Sequence, residues 1–166
     1  RGESQAGSLD RTVSNSKIIG GEAVSMKEGD VIKGGPWDGF KVLDVYTRAQ
    51  AIEDGVLIDI TEWAKEYGFK YPVAVTSAVW HLIDNPAGML CAGQSARGRG
   101  LDVVAMLKMY AKRGGTTIFF PVIFATNMYQ KHGETHEARK TFKLKSVCGP
   151  GDNQEPVITV MLPEED

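Results

Sequence analysis

The chain has 166 residues, with 19 Lys and Arg against 21 Asp and Glu for a formal charge of −2. That balance removes the global electrostatic case for a nucleic-acid binder, whose domains carry a basic excess. Its 42% hydrophobic and 24% charged residues match a soluble globular domain that needs no disulfide or metal for stability, and two cysteines and no apolar run near ~20 residues exclude a disulfide framework and a membrane span.

Residues 1–25 are rich in Ser, Gly, Arg and Asp and are expected to be a flexible or peripheral tail ahead of a single domain over 26–166. The tail lacks the basic and apolar regions of a signal peptide, and Met26 offers itself as a natural start. Lys17-Ile18-Ile19-Gly20-Gly21 looks like the activation site of trypsin-like proteases. The serine-centred Gly-rich turn which that chemistry needs is missing, so the protease reading fails.

From Gly29 the pattern is regular. Gly34 to Gly39 is a turn cluster, and Phe40 to Tyr46 alternates like a strand. Thr47 reads as an N-cap with Gln50 as capping-box partner, opening a helix over Arg48 to Asp54 that Gly55 stops. Val56 to Ile60 is a strand, Thr61 opens a helix over Glu62 to Tyr67, and a third helix is expected near Val75 to Ile83, with Thr76 a candidate cap. Gly88 to Gly100 is the least regular stretch. It precedes the longest helix, Leu101 to Arg113, whose Val103, Met106, Leu107 and Tyr110 form a buried stripe.

Thr116 to Thr126 reads as a strand whose Pro121 marks a bulge or an edge. Residues 127–138 read as a polar loop, while Thr141 to Cys148 and Pro156 to Leu162 alternate as strands joined by the hairpin loop Gly149 to Glu155. Pro163 stops the last strand, and three acids are expected to keep the end solvated. Helices first and antiparallel strands last make the expected fold α+β, a compact single domain with a sheet dominated by C-terminal strands.

Three blocks of sequence stand out: Tyr46-Thr47-Arg48-Ala49-Gln50-Ala51-Ile52-Glu53-Asp54-Gly55-Val56-Leu57, then Phe69 to Thr76 with Ala78-Val79-Trp80, then Cys148-Gly149-Pro150-Gly151-Asp152 with Glu155 to Pro163. Together they resemble an uncharacterised family of short bacterial proteins, a domain of unknown function often encoded on plasmids, phages and integrated elements. The resemblance covers roughly residues 44–163 and implies an identity without a mechanism.

The candidate chemistry is sparse. Arg48, Gln50, Glu53 and Asp54 crowd a helix of two turns, with two acids at the end where the macrodipole disfavours them. Arg48 either pairs with an acid across the fold or serves a ligand. Asp59 interrupts an apolar strand, and alternation puts it with Leu57 on the more exposed face unless a partner is buried with it. His132 and His136 have helical ligand spacing, but Gly133 and the expected loop argue against a metal site. Cys148 is the better thiol candidate, with a buried structural role favoured for both cysteines.

Arg97 and Arg99 in the Gly-rich stretch, with Lys143 and Lys145 on one strand face, could converge on a basic patch for a phosphate or an acidic protein. Asp152 and Glu155 in the hairpin loop could meet a cation or a basic partner, or be ordinary turn residues.

No nucleophile, oriented base and oxyanion site occur together, and no motif asks for a cofactor or a metal. The leading expectation is a small cytoplasmic binding protein of mobile-element type, acting on a host protein or a small anionic ligand, in counter-defence or element maintenance. Its candidate binding residues are Tyr46, Arg48, Gln50, Arg97, Arg99, Asp152 and Glu155. The alternative is a small enzyme for a phosphorylated or nucleotide-like substrate, using Arg48, Glu53 and Asp59 with the Arg97/Arg99 loop. A third option is a homo-oligomer paired through an edge strand.

Overall fold

The computed structural model describes residues 15–19, 22–26, 29–31, 46–91, 93–112 and 114–165. The turn expected over 34–39 and the strand over 40–45 lie outside the described residues, as do Arg113 and Asp166. Within the stretch read as a tail, β1 (Asn15–Ile19) and β2 (Glu22–Met26) pair antiparallel in a two-stranded sheet of their own.

The body begins with α1 (Arg48–Glu53), β3 (Leu57–Asp59) and α2 (Thr61–Glu66). Thr47 caps α1 as expected: its Oγ1 accepts the Gln50 N–H at 3.0 Å, and the Gln50 side chain accepts the Thr47 N–H at 2.9 Å. Next come β4 (Val73–Thr76), α3 (Ser77–Ile83), α4 (Pro86–Met89) and α5 (Ala96–Ala111). The chain closes with β5 (Thr117–Lys131), β6 (Glu134–Pro150) and β7 (Pro156–Met161).

The fold is α+β, and its five-stranded sheet runs β3-β4-β7-β6-β5. Every neighbouring pair is antiparallel except β4 and β7, so the sheet is mixed. β7 returns after the β5–β6 hairpin to lie between β6 and β4, which fixes that one parallel pairing.

Three expectations change. Residues 73–76 were expected to lead into a helix, yet they form a central strand whose Val73, Ala74 and Val75 are fully buried. A strand covered on both faces loses its alternation and reads as a plain apolar run. The helix starts two residues later, with Thr76 as its cap.

The irregular glycine stretch holds the end of α4 and the first turn of α5. Ser95 caps that turn by accepting the Gly98 N–H at 3.0 Å. Residues 127–138 are no loop, because β5 and β6 continue as a two-stranded arm around a two-residue turn at His132 and Gly133, with φ of 54° and 81°. Left-handed values at both central residues suit the right-handed twist of a hairpin.

The core lies on one face of the sheet. Val73, Val75, Phe120, Val122, Phe124, Leu144 and Val160 meet Ala64 of α2, Val79 and Ile83 of α3, and Val103, Val104 and Leu107 of α5. By strand alternation the other face, called here the second face, carries Leu57 and Asp59 of β3, Ala74 of β4, Lys145 and Val147 of β6, and Val157, Thr159 and Met161 of β7.

β5 is an edge strand. Thr116 O accepts the Cys148 N–H at 2.7 Å, so from 116 to 124 the even-numbered backbone groups bond to β6 and the odd ones point outward. Pro121 is odd-numbered, so its missing N–H falls on the outer edge. The irregularity in the ladder sits further on, between Ala125 and Asn127.

The C-terminal acids are not all solvated. The Glu165 carboxylate accepts the Thr76 hydroxyl at 2.9 Å and the Leu162 N–H at 2.6 Å, and the Lys145 ammonium donates to the Glu165 carbonyl.

Candidate functional site

The first and last blocks of distinctive sequence meet at α1. Asp152 Oδ1 accepts the Arg48 N–H at 2.8 Å, and Oδ2 accepts the Ala49 N–H at 2.9 Å. A carboxylate on two otherwise unpaired N–H groups at a helix start satisfies them and complements the helix dipole. The hairpin loop is shaped to deliver it. Gly151 N donates to the Glu155 carbonyl at 2.6 Å, and Glu155 Oε2 accepts the Asn153 N–H at 2.8 Å. A Cβ at Gly151 would collide with the Glu155 carboxylate.

Arg48 lays its side chain on the second face of the sheet. Nη1 donates to Thr159 Oγ1 at 2.9 Å and Nη2 to the Ile158 carbonyl at 3.3 Å. Register places Asp59, Ala74, Thr159 and Val147 in one lateral row across four strands. Asp59 is thus two strand spacings, roughly 10 Å, from Thr159. Burial pushes the Arg48 guanidinium down, while the charges of Asp59, Asp152 and Glu155 favour its ionised form. No carboxylate lies within ion-pair distance of it among the described residues.

Beside Arg48 the second face forms a cavity of about 380 Å³, walled by Leu57, Val147, Val157 and Met161, with Lys145 and Thr159 as its other polar lining. Asp59 itself is exposed, and its Oδ1 accepts the Thr61 N–H at 2.7 Å, capping α2 in place of a side chain at Ile60. Tyr46 donates its hydroxyl to Asp54 at 3.0 Å, and Gln50 belongs to the capping box. Glu53 is exposed at the end of α1.

Arg97 and Arg99 belong elsewhere. Arg97 makes a surface ion pair with Glu66 at 2.6 Å. Arg99 is buried on the core side: Nη1 donates to the Ala125 carbonyl at 3.0 Å, Nη2 to the Leu82 carbonyl at 2.8 Å, and its Cζ lies 4.5 Å from the centroid of the Phe124 ring. Its Nε has no partner. Arg48, Asp59, Asp152 and Glu155 are therefore brought into one neighbourhood, and the two arginines of α5 are not.

His136 stacks on Tyr129 at 5.6 Å, and no group of three or more His, Cys, Asp or Glu is placed to hold a metal among the described residues.

Thr159 and the apolar walls escape a reading of the sequence. Alternation in β6 and β7 puts 145, 147, 157, 159 and 161 on a common face only once the register is known. None of the described helices is long and apolar enough to cross a membrane.

No curated protein and no solved structure matches the chain. A family model described as a family of unknown function, DUF6573, matches residues 36–166, which includes α1, the hairpin loop and the whole five-stranded sheet, and the chain belongs to that family.

Proposed function

We propose that the chain is a small cytoplasmic accessory protein of mobile-element type that works by binding, and that the cavity beside Arg48 is where it takes a charged ligand. One observation carries this reading. The half-buried guanidinium makes two hydrogen bonds and no ion pair among the described residues, at the wall of a cavity of a size suited to a small molecule. Counter-defence or element maintenance is the role that the resemblance to plasmid- and phage-borne proteins suggests.

The enzyme reading needs Arg48, Glu53 and Asp59 to work with Arg97 and Arg99, whose partners are on the other side of the sheet. Pairing of two copies through β5 is opposed by Pro121, which has no outward donor, and by Arg99, which holds the Ala125 carbonyl.

The test is affinity capture from a bacterial lysate on immobilised full chain, with mass spectrometry of the bound small molecules. Wild type and Arg97→Ala are expected to retain the same anionic species, and Arg48→Ala to lose them. Identical profiles for wild type and Arg48→Ala would overturn the reading.

A further inference from the structure

The chemistry of the cavity walls narrows the ligand beyond "charged". A guanidinium has five N–H donors, and two of Arg48's are directed at Thr159 and Ile158. The three left are Nε–H and one N–H on each terminal nitrogen, and a guanidinium can set two parallel N–H groups against the two oxygens of a carboxylate. Lys145, the other cation of the lining, donates to the Glu165 carbonyl and adds a second positive charge to the cavity, while the planar fork of Arg48 is the head-group anchor.

Leu57, Val147, Val157 and Met161 supply an apolar wall from three strands. A volume of about 380 Å³ holds roughly a dozen water-sized groups.

Charge sets the valence. Asp59, Asp152 and Glu155 all act on Arg48 through space. With Lys145 lining the same cavity, three acids face two cations, so the field costs a doubly charged head group about twice what it costs a singly charged one. A phosphate monoester carries nearly two near neutral pH, and a carboxylate carries one.

We propose that the pocket takes an amphipathic monocarboxylate, with its head group on Arg48 and an apolar body of roughly ten heavy atoms along Leu57, Val147, Val157 and Met161. This rests on the reading of the same cavity as a binding site.

The test is a methyl-resolved NMR titration of the full chain with four probes: octanoate, octyl phosphate, octylammonium and acetate. Octanoate is expected to shift the methyls of Leu57, Val147, Val157 and Met161 and to bind at least tenfold more tightly than the other three. Arg48→Met is expected to weaken octanoate at least tenfold. Arg48 also anchors structure, so Val147→Phe, which narrows the cavity from its apolar wall and leaves the guanidinium's partners intact, is expected to weaken octanoate at least tenfold with the fold retained.

Equal or tighter binding of octyl phosphate or octylammonium overturns the proposal, as do octanoate shifts confined to other methyls. If octanoate fails while lysate ligands still depend on Arg48, the ligand class is wrong and the site stands. If neither depends on Arg48, both readings fall.

Discussion

Arg48 and Arg99 are alike in composition and opposite in use. Neither has a carboxylate within ion-pair distance among the described residues, and burial lowers the pKa of both. Arg99 is 2% exposed and divides its donors between two backbone carbonyls, one on α3 and one on the edge strand β5. It joins elements and blunts an edge. Arg48 is half-buried on the second face, anchored by one hydroxyl and one carbonyl, with donors left over beside a cavity. A buried cation whose donors end on backbone holds the fold together, whereas one held at the rim of a hollow can meet a ligand.

The largest effect separates the two directly. Arg99→Ala leaves the Leu82 and Ala125 carbonyls without their donor and opens space under Phe124. The Ala125 contact is buried and the Leu82 contact partly so; an unpaired buried acceptor costs about 1–3 kcal/mol, so with the space opened under Phe124 urea unfolding should show a loss of about 2–5 kcal/mol. Gly88→Ala should reproduce part of it, because a Cβ there would collide with the Arg99 guanidinium and the Ala125 carbonyl. Binding at the Arg48 cavity should persist in whatever fraction stays folded. A loss under about 1 kcal/mol for Arg99→Ala would show that the two arginines are not different in kind.

Arg48→Ala should be milder. Its partners, Thr159 Oγ1 and the Ile158 carbonyl, are only partly buried and can turn to water, so the expected loss is about 1–2 kcal/mol. Lysate-derived ligands should disappear with it. A stability loss as large as that of Arg99→Ala would make Arg48 a structural tie and remove the contrast.

How much of this was legible in the sequence follows from how local each feature is. The α1 capping box spans four residues and was readable, as was Asp59 sharing the more exposed face of β3 with Leu57, because alternation is a local rule. β4 was not, since burial on both faces erases the pattern that marks a strand. The arm at 127–138 failed for the reverse reason: with neither face on the core, its residues need no alternation and look like a loop.

The link from Arg48 to Asp152 crosses 104 residues and depends on the sheet register. Only the glycines and prolines of the hairpin loop hinted that Asp152 had a fixed place. In the sequence Arg99 reads as part of a loop patch, because its glycine neighbours suggest a loop. Gly100 instead lets α5 approach Trp63, where any Cβ would collide.

Asp152→Asn tests the α1 end of the comparison with a smaller change. Asparagine keeps an acceptor for one N–H and loses both the second contact and the charge at the helix start. The expected loss is about 0.5–1 kcal/mol in urea unfolding, with octanoate binding retained, because the guanidinium keeps Thr159 and Ile158 and loses one repelling charge beside it. An unchanged midpoint would mean that the hairpin loop does not hold α1.

Asp102 gives the smallest effect and the opposite sign. It lies on α5 one turn from Arg99; desolvation raises its carboxyl above the ordinary value, and the Arg99 charge opposes this without cancelling it. A raised folded-state value means that the folded protein carries a penalty when Asp102 is ionised. That penalty is full above the folded value and disappears as pH falls through it toward the unfolded value of 3.8.

Asp102→Asn should therefore stabilise the protein at pH 7, by under about 0.5 kcal/mol for so exposed a group, and the gain should vanish in the acid range. If Arg99 relied on Asp102 as its counter-charge, the same substitution would destabilise at pH 7 instead. Thermal unfolding of the pair across pH 3 to 7 decides whether Arg99 is held by backbone carbonyls alone.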